Sequence, residues 1–564
     1  MEATLQKSPS TTLVYWAVRK PVIRKKKYDF LVPMQPPNNL LSRPPLWAFH
    51  PYFDIYLTRS SLFRWDLTQK TIHFTSALPS LVRSFSSVFP STRSPPLSHP
   101  SHFYAVYQNS GDDNTNWGAF EKKRTLLGKS TIDNGDRCSI SCDFWHLYKE
   151  DIDRAHTLGS NCFRLSLEWS RLQPDGPGTA FDRDAVATYH AIFDALEARN
   201  MEPFVTFHHF VHPLWFEKLG GFTKVENIPL FVEYSVAAYK EFGGRARFWT
   251  TFNEPGVTSF AGFIYGSFPP GRMARIAGCG QHILNMLRAH TDVYAAVKAL
   301  PGGKEASIGL VHNWFWFEPK KSCCTPFYVN WVANVLNRMW GNEVVMNYLK
   351  TGVFDYNPLP FGICRVQYEN PGGPPGCDHI GLNYYSRGLF DWKLQPCLNP
   401  GEVMTDMPYS LHAEGLLTAV AGVSQLGVPI YITETGVADD GDALRPQCIQ
   451  SYMSAVEEAV RVGYDLRGVM YWTLVDNFEW AFGYRMKFGM YRWDPAEQGT
   501  PEYQERKLHK SGALLGMWYE RLKDKCPGLR AEALKRGADG VLESRKQVED
   551  GGVVKKELEL SSVT

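Results

Sequence analysis

The sequence predicts an α/β protein, a (β/α)8 barrel in a single domain with long loops at the C-terminal ends of its strands. Three observations carry that expectation. Eight short runs rich in β-branched and aromatic residues recur through the middle of the chain, and segments of helical periodicity separate most of them. Several runs end in polar groups (Asn253-Glu254, Asn383-Tyr384-Tyr385, Glu434), which suit a barrel mouth better than a packed interior. The glycine-rich phosphate turn expected after an early strand of a doubly wound sheet does not occur in the sequence.

Taken in order, residues 1–100 stand outside this pattern. They are basic (Arg24-Lys25-Lys26-Lys27), rich in Ser and Pro, and nearly free of acids, the composition of a disordered or transit-like leader. The barrel is expected over 101–526, with strands at 103–108, 161–166, 203–209, 248–253, 306–313, 379–385, 429–434 and 468–474. Helical periodicity marks 144–158, 184–199, 228–242, 280–300, 325–350 and 446–462. Residues 527–564 are charged and poor in aromatics, and read as a tail.

Composition narrows the partners. Sixty Lys and Arg against 58 Asp and Glu give a formal charge of +2, no field with which to steer nucleic acid or an anionic surface. An uncharged small molecule fits better. Aromatics form 14 % of the chain, enough to line a sugar cleft as well as fill a core. The eleven cysteines are odd in number, and neither Cys138/Cys142 nor Cys323/Cys324 has the spacing of a zinc site, so reduced thiols and no metal or organic cofactor are expected. That favours the cytoplasm, or a plastid or other organelle if the leader is a transit peptide. No run of about twenty apolar residues suits a membrane span, and no secretory apolar stretch follows Met1.

Two carboxylates have the same setting. Ile430-Tyr431-Ile432-Thr433 has strand propensity and stops on Glu434, two residues before Gly436, where the backbone can turn sharply. Phe248-Trp249-Thr250-Thr251-Phe252 stops on Asn253-Glu254, and Pro255 keeps the strand from continuing. Two glutamates at two strand ends can face each other across a barrel mouth and divide the work of glycoside cleavage.

Those segments, with Phe163-Arg164-Leu165, His208-His209-Phe210 and Trp472 followed by Asp476-Asn477-Phe478-Glu479-Trp480, resemble family 1 of the glycoside hydrolases, the β-glucosidase family. The resemblance runs from about Gln108 to Leu522. Thr-Phe-Asn-Glu-Pro at 251–255 is similar to the family's acid/base motif and Ile-Thr-Glu-Thr-Gly at 432–436 to its nucleophile motif. It implies Glu254 as general acid/base and Glu434 as nucleophile. It further implies Asn253 at the sugar 2-OH, His209, Glu479, Trp480 and Gln108 at the other hydroxyls, and Trp472 as stacking floor. Arg164, Tyr385 and Asn383 would support the nucleophile.

Departures from the family pattern are Thr435 for Asn after the nucleophile, Phe210 for Trp after the histidine, and Ser110 for Glu in Tyr107-Gln108-Asn109-Ser110-Gly111. The resemblance implies a retaining β-glycosidase, most simply a β-glucosidase. Its phosphate-specific members lack an acid at the place of Glu479, and its thioglucosidases carry Gln in place of Glu254. A transglycosylase using the same covalent intermediate, or a sugar-binding barrel without turnover, are the alternatives.

Overall fold

Seven of the eight expected strands form one parallel sheet in this computed structural model. Residues 64–66, 71–73, 111–125, 128–139, 141–321, 325–495 and 506–523 are described, all within the unit Leu62–Thr564. The strands are β1 (Cys162–Ser166), β2 (Glu202–His208), β3 (Phe248–Asn253), β4 (Ser307–Asn313), β5 (His379–Asn383), β6 (Ile430–Glu434) and β7 (Leu466–Val469). Each pairs with its neighbour in chain order, and helices separate them, so the curled sheet is the wall of a (β/α)8 barrel. The expected strand at 103–108, the tail, and all of the leader except 64–66 and 71–73 lie outside the described residues. Residues Arg64–Asp66 and Thr71–His73 pair antiparallel.

The helices form where apolar residues recur at helical spacing. Arg183–Glu197 buries Ala185, Tyr189, Ile192, Phe193 and Leu196 on one face, and the Asp182 side chain caps it by accepting from the Ala185 amide. Ile228–Phe242 has the predicted bounds. The single long helix expected over 325–350 is instead two, Phe327–Trp340 and Asn342–Thr351, because Gly341 sits between them at φ +95°, a left-handed turn that an α-helix cannot contain. Glu414–Ser424 is a helix that periodicity did not single out; its glycines and uniformly apolar sequence hide any face. No helix among the described residues is long and apolar enough to cross a membrane.

Inside the sheet the side chains lie in layers that lift the polar groups to one end. Near the strands' N-terminal ends Phe204, Phe248 and Tyr431 pack together. The hydroxyls of Thr206 and Thr250 meet at 2.8 Å one step further along. In β3 the register then shifts between Thr250 and Asn253. That irregularity re-phases the alternation: Phe252 packs outward on Phe222 and Phe231, and Asn253 is free to turn inward. A similar shift at Leu382/Asn383 brings Asn383 opposite Glu434. The last strand is shorter than predicted. The strand ends at Val469, the Met470 amide still bonds to Ile432 of β6, and beyond it the backbone of Trp472 bonds to Thr435 and that of Thr473 to Phe488, so 471–474 serves the mouth of the barrel rather than its wall.

Candidate active site

Glu254, just after β3, and Glu434, at the end of β6, stand at the C-terminal end of the sheet, and both are only 5 % exposed. Glu254 occupies a left-handed conformation at φ +45°, between the end of β3 and the helix Pro255–Phe260, with Pro255 at that helix's first turn. Non-glycine residues held there are strained by about 1 kcal/mol or more, and such strain gathers at functional sites. Phe210 at φ +66° and Trp480 at φ +49° share the left-handed region beside it.

The two carboxyls have different surroundings. Glu434 Oε1 accepts from Arg164 Nη1 at 2.5 Å and its Oε2 from the Tyr385 hydroxyl at 2.8 Å, so both oxygens are held by donors suited to an anion. Glu254 Oε1 accepts only neutral amide donors, Asn383 Nδ2 at 2.6 Å and Asn313 Nδ2 at 2.9 Å. Burial, and then the negative charge of Glu434, push its carboxyl up to about 8, against the opposing pull of the two amides and Arg164. Near neutral pH Glu254 is therefore set up as an acid.

A continuous network joins them. Arg164 Nη2 donates to Asn253 Oδ1 at 2.7 Å, and Asn383 Nδ2 donates to the same oxygen at 3.1 Å. With its oxygen so engaged, Asn253 turns its amide nitrogen to His209 Nε2 at 3.1 Å. Burial and then the nearby Arg164 hold His209 far below the usual imidazole range, so the ring is neutral with Nε2 as acceptor. Trp472 and Trp480 flank it with ring centroids 6.1 and 5.9 Å away. Glu479 is partly buried at the same mouth; burial, and then the charges of Glu434, Glu254 and Glu479, push the Tyr385 hydroxyl well up.

All but one of the residues expected from the sequence therefore converge here; Gln108 lies outside the described residues. Asn383, expected beside the nucleophile, gives its side-chain bonds to Glu254, Asn253 and, as acceptor, Thr433. Three site residues went unnoticed in the sequence: Asn313, Thr433 and Tyr409, whose buried hydroxyl feels Glu479 and Glu254. The first had a visible signal, since it ends the predicted strand 306–313 on a polar group, as Asn253 and Asn383 end theirs. A cavity of about 220 Å³ runs between β1 and β7 and touches Arg164, His209 and Trp472, extending from the edge of the network away from Glu254. Among the described residues no group of three or more His, Cys, Asp or Glu is arranged to hold a metal ion.

Comparison with known proteins identifies the family. The family model "Glycosyl hydrolase family 1" matches residues 105–345 and 378–525. A β-galactosidase from Pyrococcus woesei is 27 % identical over 463 residues, covering 67 % of this chain and 87 % of that protein. A 1,4-beta-D-glucan glucohydrolase from Thermotoga neapolitana is 29 % identical over 381 residues, 64 % of this chain and 88 % of its own length. Among solved structures, the β-glucosidase from Thermotoga maritima in complex with deoxynojirimycin superposes with a TM-score of 0.61 at 27 % identity, covering 74 % of this chain and 93 % of that one. The match to the family model spans well over half of the sequence, and the chain belongs to glycosyl hydrolase family 1.

Proposed function

We propose that this protein is a retaining β-glycosidase, a β-glucosidase, with Glu434 as nucleophile and Glu254 as general acid/base. The observation that carries the reading is the contrast between the two carboxyls. Arg164 and Tyr385 place donors on both oxygens of Glu434, while burial and the charge of Glu434 favour a proton on Glu254. In the first step a Glu434 oxygen attacks the anomeric carbon, the bond to the leaving oxygen breaks, and Glu254 gives that oxygen its proton. Esterification then removes the charge of Glu434, and with it one of the two causes that raise Glu254. Glu254, now a carboxylate, takes a proton from water as the water oxygen attacks the anomeric carbon and releases Glu434.

Asn253 beside Arg164 suits a hydrogen bond to the 2-OH, His209, Glu479, Trp480 and Gln108 suit the remaining hydroxyls, and Trp472 suits stacking on the sugar face. Asn383 steadies Glu254 and Asn253 rather than the nucleophile. A carboxylate at Glu479 accepts from the 4-OH and 6-OH and repels a 6-phosphate. The test is turnover of chromogenic β-glucosides, β-galactosides and 6-phospho-β-glucosides by the protein and its E434A variant. Cleavage of the plain glucoside, abolished by E434A and at least tenfold weaker with the phosphorylated sugar, is expected. Absent turnover with sugar binding retained, or equal kcat/KM with and without phosphate, contradicts the reading. A dominant transfer product with an added glycoside acceptor would assign the chain to transglycosylation.

A further inference from the structure

Glu254 Oε1 accepts two amide N–H bonds, from Asn383 at 2.6 Å and Asn313 at 2.9 Å. A carboxyl oxygen with both lone-pair directions occupied by donors has no room for a proton of its own. The arrangement follows from strand register. β4 and β5 set Asn313 directly opposite Asn383, so two amides at the same height reach from neighbouring strand ends toward the glutamate that follows β3. Glu254 is itself tied to β4, its backbone amide donating to the Val311 carbonyl at 2.9 Å. The direction of the Asn383 amide is fixed as well: the Thr433 hydroxyl donates to its Oδ1 at 2.7 Å, leaving its nitrogen to face Glu254 and Asn253.

We propose that Asn313 is a positioning residue: paired with the Thr433-oriented Asn383, it keeps Glu254 Oε1 proton-free, so that the proton exchanged with substrate is carried on Oε2. The inference rests on Glu254 being the general acid/base. It gives the two oxygens separate duties. Oε2 delivers the proton to the leaving oxygen and later collects one from water, while Oε1 stays bonded to the same two amides throughout. Those amides also stabilise the carboxylate that exists between the two steps. The charged groups facing Glu254 are Glu434 on β6 and Arg164 on β1, with the Tyr385 and Tyr409 hydroxyls on the loop that follows β5. Of these only Arg164 acts in the same direction as the amides.

The experiment compares full-length wild type, N313A, T433V and E254A. It follows kcat/KM against pH on one β-glucoside with an activated leaving group and one with an unactivated alcohol, and uses melting temperature to verify the fold. Removing a donor that favours the ionised form raises the proton affinity of Glu254, so the basic limb moves to higher pH. The shift expected is about one pH unit in N313A, and smaller but in the same direction in T433V, where the Asn383 amide is free to rotate. T433V preserves shape, so the proposal stays testable if N313A does not fold. A Glu254-dependent limb that stays in place or moves to lower pH in the folded variants overturns the proposal. A wild-type limb that persists unchanged in E254A overturns the assignment of Glu254 itself, a result distinguishable from the first.

Discussion

Replacing Glu254 by Gln should make the protein more stable, and increasingly so as the pH rises. The carboxyl titrates near 4.5 in an unfolded chain and at about 8 in the fold. Between those values the folded state holds a proton that the unfolded state has released, so stability falls with rising pH and the full cost is reached above pH 8. Gln has the same shape, and its amide oxygen can accept the Asn313 and Asn383 bonds, but it has nothing to ionise. A gap of about 3.5 pH units at about 1.4 kcal/mol each is about 5 kcal/mol. Unfolding entropy of about 2.1 cal/mol/K per residue over roughly 400 residues converts that to about 6 °C. Melting curves of wild type and E254Q from pH 5 to pH 9 should agree at the acid end and separate by several degrees in favour of E254Q at the alkaline end. Groups that do not interact with Glu254 titrate equally in both proteins and cancel in the difference, which leaves the titration of the Glu254–Glu434 pair. A difference that stays flat with pH would refute the claim that burial beside Glu434 protonates Glu254.

Two further perturbations follow from the same geometry. In R164K a single ammonium cannot reach both Glu434 Oε1 and Asn253 Oδ1, which Arg164 contacts with separate nitrogens; the loss of a charge-assisted bond worth about 1.5–3 kcal/mol should lower kcat by about 10- to 100-fold, and a change below threefold would show the bridge to be idle. In G436A the new methyl carbon would lie 2.1 Å from the Trp472 carbonyl oxygen, so the turn after Glu434 must shift at a cost of about 1–3 kcal/mol, read as a lower melting temperature with loss of activity; unchanged melting would mean that the turn relaxes freely.

Most of the fold was readable because its signals are local. Each described wall strand contains a β-branched or aromatic residue, and six of the seven observed strands fall within a residue or two of the predicted bounds. The exceptions have non-local causes. Leu466–Val469 ends before the predicted 474 because the backbone at Trp472 and Thr473 bonds to Thr435 and Phe488, partners distant in sequence. The break at Gly341 was a local signal that periodicity masked, since apolar residues continue in phase on both sides of it. At the site, residues at strand ends were legible and their pairings were not. Nothing in the sequence tells whether Asn383 will serve Glu434 or Glu254; the register shift at Leu382/Asn383 and the Thr433 hydroxyl decide it. Asn313 ends its predicted strand on a polar group, but its bond to Glu254 depends on a register opposite Asn383 that no single run of residues encodes.

The division of labour between the two carboxyls is tested most directly by the stereochemistry of azide rescue. With E254A the sugar is still captured on Glu434, so azide attacks from the face the leaving group vacated and the product is the β-glycosyl azide. With E434A azide takes the place of the missing nucleophile and the product is the α-anomer. That pairing of variant and anomer is what the account predicts; the opposite pairing would reverse the roles of Glu254 and Glu434, and rescue of neither variant would contradict the covalent mechanism.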